Sequence, residues 1–301
     1  MSSYFDNKEL FMEPTTTQYG SHMVTTNVHK STKHKMINID TRFREDYTNL
    51  DTVNYNVLLP ERITDIRSIH VTNIEIPMFI NNISASLGNN CFLVTKAGTN
   101  VRRVVSIADG QYSLSQLQAA LTNILAPFTD IGLSVSTTGN KCVFTSANNL
   151  AISFIVDISG NPQKAETKSN LGWLLGFRKS SYSFNNRSLT AEGMIDLNGP
   201  RYLYLAVDEF TRGNQSSFVS PLQKSLINRN IIARITPDTT LHPYGTILTA
   251  NKMIGNLTSD TRSYTGKIDM LKLNIQLLDE YGRNVNLNGM DFSFCLDVIH
   301  E

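Results

Sequence analysis

Met270-Leu271-Lys272-Leu273-Asn274-Ile275-Gln276-Leu277 and Met290-Asp291-Phe292-Ser293-Phe294-Cys295-Leu296-Asp297-Val298 decide the fold class of this chain. In the first stretch Leu271, Leu273, Ile275 and Leu277 alternate with Lys272, Asn274 and Gln276. In the second, Met290, Phe292, Phe294, Leu296 and Val298 alternate with Asp291, Ser293, Cys295 and Asp297. Successive side chains of a strand point to opposite faces, so period-two alternation marks strands with one dry and one wet side. Asp279, Glu280, Tyr281, Gly282, Arg283 and Asn284 supply turn chemistry between them. Met270 to Val298 therefore reads as one β-hairpin.

The same pattern recurs upstream. Met36-Ile37-Asn38-Ile39-Asp40 opens the ordered body, and Val53, Tyr55, Val57 and Leu59 alternate with Asn54 and Asn56 until Pro60 ends the strand. Ile69 and Val71 share one phase, whereas Ile74 and Ile76 fall in the other. That shift signals a bulge near Thr72-Asn73 or burial of both faces. Cys91 to Thr95 and Val101 to Ile107 read as a strand pair around Gly98, and Gly139-Asn140 as a hairpin turn. Further strands follow at Ile152 to Val156, Tyr202 to Val207, Ile231 to Ile235 and Thr246 to Leu248.

One helix is well signalled. Ser113 and Gln116 match a capping box, Leu114, Leu117, Leu121, Ile124 and Leu125 share a face, and Pro127 stops the run. Leu171 to Phe177 reads as a helical turn ended by Gly176, and the leucines around Trp173 point to a core position. The expected fold is mainly β. It is an antiparallel β-sandwich, with the jelly roll as one form, carrying an inserted α+β lobe at 88–180 within a body spanning 36–301.

Residues 1–35 differ in composition, with Thr15, Thr16, Thr17, Gln18, Ser21, Thr25, Thr26 and Asn27 and few large apolar side chains. Such a segment cannot bury enough surface alone to offset its ordering entropy. It reads as an extended arm, either disordered or ordered only against a partner.

The chain has 301 residues, 41% of them hydrophobic, with 27 basic and 26 acidic side chains and a net charge of +1. That balance argues against broad electrostatic capture of nucleic acid or an anionic membrane. No apolar run approaches the ~18–20 residues that cross a bilayer, and the start lacks the pattern of a signal peptide. Cys91, Cys142 and Cys295 are an odd number at no metal spacing and read as buried free thiols. Asn82, Asn186, Asn214 and Asn256 begin glycosylation sequons, a pattern frequent by chance in an Asn-rich chain.

No catalytic constellation emerges. His22, His29, His34, His70, His242 and His300 form no metal-ligand pattern, and the nucleophile elbow, phosphate loop and dinucleotide fingerprint are missing. His70 reads as facing solvent or an interface. Asp208 and Glu209, adjacent on a strand, point to opposite faces and read as a plain strand-end turn, as does Asp109-Gly110. Arg102-Arg103 is either a salt-bridge or nucleic-acid contact or the blunting of an edge strand. Arg42-Phe43-Arg44 is the other basic group. Catalytic, cofactor-binding and metal-binding residues are accordingly expected to be none.

The order of these pieces resembles the minor capsid proteins of nucleocytoplasmic large DNA viruses of the phycodnavirus and mimivirus kind. Four stretches carry the likeness: Ile37 to Arg44 with Asn54 to Pro60; Ile66 to Pro77; Asp109-Gly110-Gln111-Tyr112 with Leu175-Gly176-Phe177; and Leu271 to Val298. The resemblance implies a non-enzymatic protein of the virion, in the capsid shell on its inner face and made in the host cytoplasm. Its partners would be the major capsid protein and other minor capsid proteins, with the inner membrane nearby, and neither a specific nucleic acid nor a small-molecule substrate. The competing reading is a β-sandwich binding module on the virion for a receptor or carbohydrate. An enzyme on the same scaffold is the third.

Overall fold

The computed structural model describes residues 31–49, 51–163, 169–184, 187–210, 218 and 230–301, and the backbone of 16–19 and 22–25. Chain order begins with β1 (Thr16–Tyr19), β2 (His22–Thr25), β3 (Lys33–Asp40), β4 (Asn54–Pro77), β5 (Cys91–Lys96) and β6 (Arg102–Ser106). Helix α1 (Leu114–Leu125) precedes β7 (Leu133–Thr138), β8 (Lys141–Ser146) and β9 (Leu150–Ser153). After α2 (Leu171–Leu174) come β10 (Ser181–Phe184), β11 (Ser188–Thr190), β12 (Leu203–Asp208) and β13 (Ile231–Ile235). The last are β14 (Ile247–Asn251), β15 (Leu257–Ser259), β16 (Arg262–Leu278) and β17 (Ser293–His300). The chain is mainly β, with antiparallel sheets and a curled half-barrel sheet, consistent with a sandwich or jelly roll. Of the arm, β1 and β2 pair with each other, while residues 1–15, 20–21 and 26–30 lie outside the described residues. Ordered structure in the body begins at Lys33, before the composition change at Met36.

The chain divides into two compact units. The first comprises Met1–Met78, Tyr202–Asp238 and Thr246–Glu301; the second comprises Phe79–Arg201 and Thr239–Gly245.

The first unit holds an eight-stranded sheet in the order β15-β13-β12-β16-β4-β17-β3, with β14 also on β4. Both strands of the terminal stretch form, but they are not a hairpin. β4 lies between them, pairing β16 through Leu273↔Val57 and Ile275↔Tyr55, and β17 through Phe294↔Ile74 and Val298↔Ile69. Alternation fixes which face a residue presents and leaves the partner open. The turn chemistry is real. Asp279 Oδ1 accepts from Tyr281 N and Arg283 N at 2.9 Å each, and Val285 N donates to Leu277 O at 3.0 Å. The returning chain then leaves β16 and reaches the far edge of β4, with Val285 and Leu287 buried on the way.

Pro60 does not end its strand; β4 runs through it to Pro77. Proline lacks an N–H and belongs in a strand only at an edge or a bulge. Pairing steps from Lys272↔Leu58 to Met270↔Ile63, so Pro60 sits in a bulge that asks no ladder bond of it. A second irregularity follows between Ile63 and Ile66, where Asp65 takes φ 55°. A third is the expected bulge at Thr72: Cys295 pairs Asn73 and Leu296 pairs Val71, leaving Thr72 unopposed. Ile69, Val71, Ile74 and Ile76 are all fully buried despite their change of phase. A further one leaves Arg67 unopposed between Ile299↔Ser68 and His300↔Ile66; bulges increase local twist, and their repetition along one strand accounts for the curl of the sheet.

In the second unit a four-stranded sheet (β10-β9-β5-β6) and a three-stranded sheet (β11-β8-β7) share one core. Phe92 of β5 meets Phe144 of β8 at 5.6 Å, joining the two sheets, and Phe154 stacks on Phe177 at 5.2 Å within the same core. Helix α1 has the expected capping box and buries Leu117, Leu121 and Leu125. Gly139 and Asn140 take φ 57° and 61°, the double left-handed turn that a two-residue hairpin needs. Asn82 is buried and binds Tyr112 and Leu197 carbonyls, so its sequon is structural.

Phe292 and Phe294 are buried and their rings stack at 6.1 Å. Phe294→Ala is expected to destabilise the chain by ~3–5 kcal/mol, read by denaturant unfolding. A change below about 1 kcal/mol would mean that Phe294 does not face the core.

Candidate functional site

Ile66 and Ile69 are paired on both sides, by Ile268 and Arg262 of β16 and by His300 and Val298 of β17. The two neighbours therefore occupy opposite edges of β4. β17 reaches no further than Ile66, and among the described residues Asn54–Leu58 has β16 as its only ladder partner. Beside this half-open segment lies a cleft of about 790 Å³, walled by β3 and the first half of β4. Met36, Phe43 and Leu58 line it and are 62%, 81% and 67% exposed. Lys35 pairs with Glu61, tying one wall to the other. Tyr55 also lines the cleft. Its hydroxyl is buried without a hydrogen-bond partner among the described residues, and burial raises its pKa above the usual phenol range.

The basic group beside the cleft is spent locally. Arg42 donates to Asp40 at 2.6 Å, which with other Arg42 contacts holds that carboxyl below its ordinary range. Arg44 pairs with Asp291 and donates to the Thr41 and Asn49 carbonyls at 2.7 Å. Phe43 is left in solvent.

Glu209 departs from the sequence reading. Asp208 and Glu209 do point apart, and Asp208 accepts from Phe210 N at 2.8 Å as a turn residue would. Glu209, however, is buried and pairs with a fully buried Arg262 at 2.8 Å. Arg262 also donates to Val207 O at 2.8 Å and Asn230 O at 2.7 Å, and Tyr264 donates its hydroxyl to Glu209 at 2.6 Å. Burial, then the Glu209 charge, drives the Tyr264 pKa upward. The cluster ties the end of β12 to the start of β16. No local motif could reveal it, because the two ion-pair partners lie 53 residues apart in sequence.

His34 of β3, Asp297 of β17 and His70 of β4 form a row across the sheet. His34 Nδ1 lies 2.9 Å from Asp297, and His70 Nε2 lies 3.9 Å from it. His70 is mostly buried, not turned to solvent, and burial lowers its pKa below the ordinary 6.5 despite Asp297. His22 contributes only backbone to the described residues, and His29 lies outside them. Among the described residues no group of three metal-ligating side chains converges.

Arg102 and Arg103 lie on β6, at a sheet edge, and donate to Gly160 O at 3.2 Å and Asp130 at 2.6 Å. They blunt that edge. Asp109 accepts from Ser84 Oγ and Ala85 N instead of closing a strand-end turn. Trp173 is half-buried and outside the hydrophobic core; the Arg178 guanidinium covers its ring at 4.1 Å, closing that face to a stacking sugar. Cys91 and Cys142 are buried free thiols, the latter pushed up to about 12 by burial, and Cys295 is half-buried.

The connection from β14 to β15 forms a rigid apolar tip. Ile254 N donates to Asn251 Oδ1 at 2.8 Å, Asn251 N to Asn256 Oδ1 at 3.0 Å, and Asn256 Nδ2 to Thr249 O at 3.0 Å. These bonds freeze a turn whose Met253 is 98% and Ile254 61% exposed, and Ile247 at the start of β14 is 63% exposed.

No protein-family model and no curated protein sequence matches the chain. The solved structures similar to it include the following two. One is a mavirus penton protein, at 10% identity over 89% of this chain and 99% of that one, with a TM-score of 0.44. The other comprises the D2–D3 domains of the Escherichia coli flagellar cap protein FliD, at 11% identity over 83% and 100%, with a TM-score of 0.18. The functional reading rests on the residues of this chain.

Removing one partner of a buried ion pair leaves the other charge unmet. Glu209→Ala is expected to cost ~3–5 kcal/mol, and the double change Glu209→Leu with Arg262→Met to recover most of it, by denaturant unfolding. Equal loss in both would mean that the pair does not interact. His70 yields a pH test. Its folded pKa is depressed, so the unfolded chain takes the proton first; its contribution is intact above about pH 6.5 and declines below that. Melting temperature should fall from pH 6.5 toward 5, with a shallower slope in His70→Gln. An unchanged slope would contradict the assignment.

Proposed function

We propose that this chain is a non-enzymatic structural subunit of a virus capsid. More narrowly, it is a minor capsid protein that cements the major capsid protein's capsomers and neighbouring minor proteins of an icosahedral large DNA virus. It would sit in the shell on its inner face. The likeness of Ile37 to Arg44, Ile66 to Pro77 and Leu271 to Val298 to that family supports the narrower reading.

The observation that carries a contact role is the tip at Met253-Ile254. Large apolar side chains gain ~1.5–3 kcal/mol each when removed from water. A turn locked by three hydrogen bonds loses little further entropy on docking, so most of that gain is available to a partner. A near-neutral net charge suits a component packed beside many others.

Met253→Asp with Ile254→Asp is expected to leave the melting temperature within a few degrees of the parent, because both side chains are already in water. The same variant should enter assembling particles about ten-fold less well, measured by quantitative mass spectrometry of purified particles. Incorporation at the parent level would overturn the contact role of the tip.

A further inference from the structure

We propose that the cleft beside Asn54–Leu58 is a slot one strand wide. It takes an extended segment of a different protein, alternating aliphatic with uncharged polar residues, hydrogen-bonded along both walls. Each wall is a strand edge. Lys35–Asp40 of β3 and Tyr55–Glu61 of β4 line the cleft as unbroken runs. Successive side chains alternate between pleat faces, so a run with no residue skipped presents its edge to the cleft, not a face. Both edges are open: among the described residues β3 pairs only β17, and Asn54–Leu58 pairs only β16. The walls run in opposite directions. Lys35 pairs with Glu61 at one end, and the Tyr55 hydroxyl lies within electrostatic reach of Asp40 and Arg44 at the other. Facing antiparallel edges in contact form a ladder at about 4.8 Å, and none joins these two. The next separation that satisfies both edges is about two such spacings, with one added strand between them.

The chemistry of the walls names the occupant. Open main-chain edges on both sides call for a ligand with alternating N–H and C=O groups, which an extended peptide carries and a lipid chain does not. On their more buried side the walls offer Ile37, Ile39, Val57 and Leu59, so the occupant's inward side chains are aliphatic. On the other side Asn38 and Asn56 stand beside the exposed Met36 and Leu58, a surface that suits threonine, with a hydroxyl for the amides and a methyl for the apolar chains. Charge points the same way. Lys35 is matched by Glu61, Asp40 by Arg42 and Arg44 by Asp291, and Glu45 and Lys272, the lining charges with no ion pair among the described residues, are of opposite sign. A slot without net charge selects a segment without net charge. The buried Tyr55 hydroxyl, which has no hydrogen-bond partner among the described residues, gives that segment a polar anchor. Every strand that the structure describes already has a ladder partner, so a second copy has no described strand to spare and the occupant comes from another protein.

Residue-resolved hydrogen exchange on the full chain tests this, with a capped eight-residue peptide of alternating valine and threonine as the probe. At about 1 mM peptide the outward amides of Tyr55–Leu58 and of Lys35–Asp40 should exchange about ten-fold more slowly, while β12 amides are unchanged. The same peptide methylated at every main-chain nitrogen keeps its side chains and loses its donors, and should protect neither wall. Met36→Asp with Leu58→Asp, both at exposed positions, should keep the parent melting temperature and lose the protection. Protection of one wall only, equal protection by the methylated peptide, unchanged protection in the double variant, or none in the parent would overturn the proposal. So would protection without peptide that disappears on dilution together with a dimer mass by light scattering, because a second copy would then fill the slot. The outcome is independent of the capsid reading: exchange reports the slot, and particle incorporation reports the shell.

Discussion

Everything in the first unit depends on one strand being shared. β4 is hydrogen-bonded on both edges at Ile66 and Ile69, to β16 on one side and β17 on the other. A strand bonded on both sides has no main-chain group to spare. Ile66, Ile69, Val71, Ile74 and Ile76 are accordingly withdrawn from water entirely. Where β17 stops, the same strand becomes half open, and the cleft with its exposed Met36, Phe43 and Leu58 begins there. Stability and the capacity for contact are consecutive parts of one strand.

The curl that creates the cleft comes from the bulges around Pro60, Asp65, Arg67 and Thr72. Charges hold the curled sheet at chosen points. Glu301 meets Arg67 and Lys267 next to the bend at Asp65, Arg44 meets Asp291, and Arg262 with Glu209 pins β12 to β16. Only the last pair is fully buried, so only it has lost all hydration and depends wholly on its partner. The partly exposed pairs guide geometry more than they add stability.

Much of this was legible in the sequence because it is local. The Ser113–Gln116 cap, the Gly139-Asn140 turn, the Thr72 bulge and the buried phases of Leu273, Ile275, Phe292 and Phe294 each follow from neighbours a few residues apart. The partner of each strand did not. The turn at Asp279–Arg283 closes one rung, as its residues demand, yet the chain then passes β4 because burying Val285 and Leu287 outweighs continuing a ladder that β4 completes better. Pro60 misled for a related reason: a proline forbids a ladder bond, and the long strand met that demand by bulging. Glu209 and the half-open edge were invisible because both are products of long-range pairing.

A sheet that hides its central strand and offers a rigid apolar turn at Met253-Ile254 is suited to being held by neighbours. The most direct measurement is a density map of the assembled particle with this chain placed in it. The account predicts a regular position in the shell, with Met253 and Ile254 buried against another subunit. Absence of the chain from the particle, or a placed chain with that turn in solvent, would contradict it.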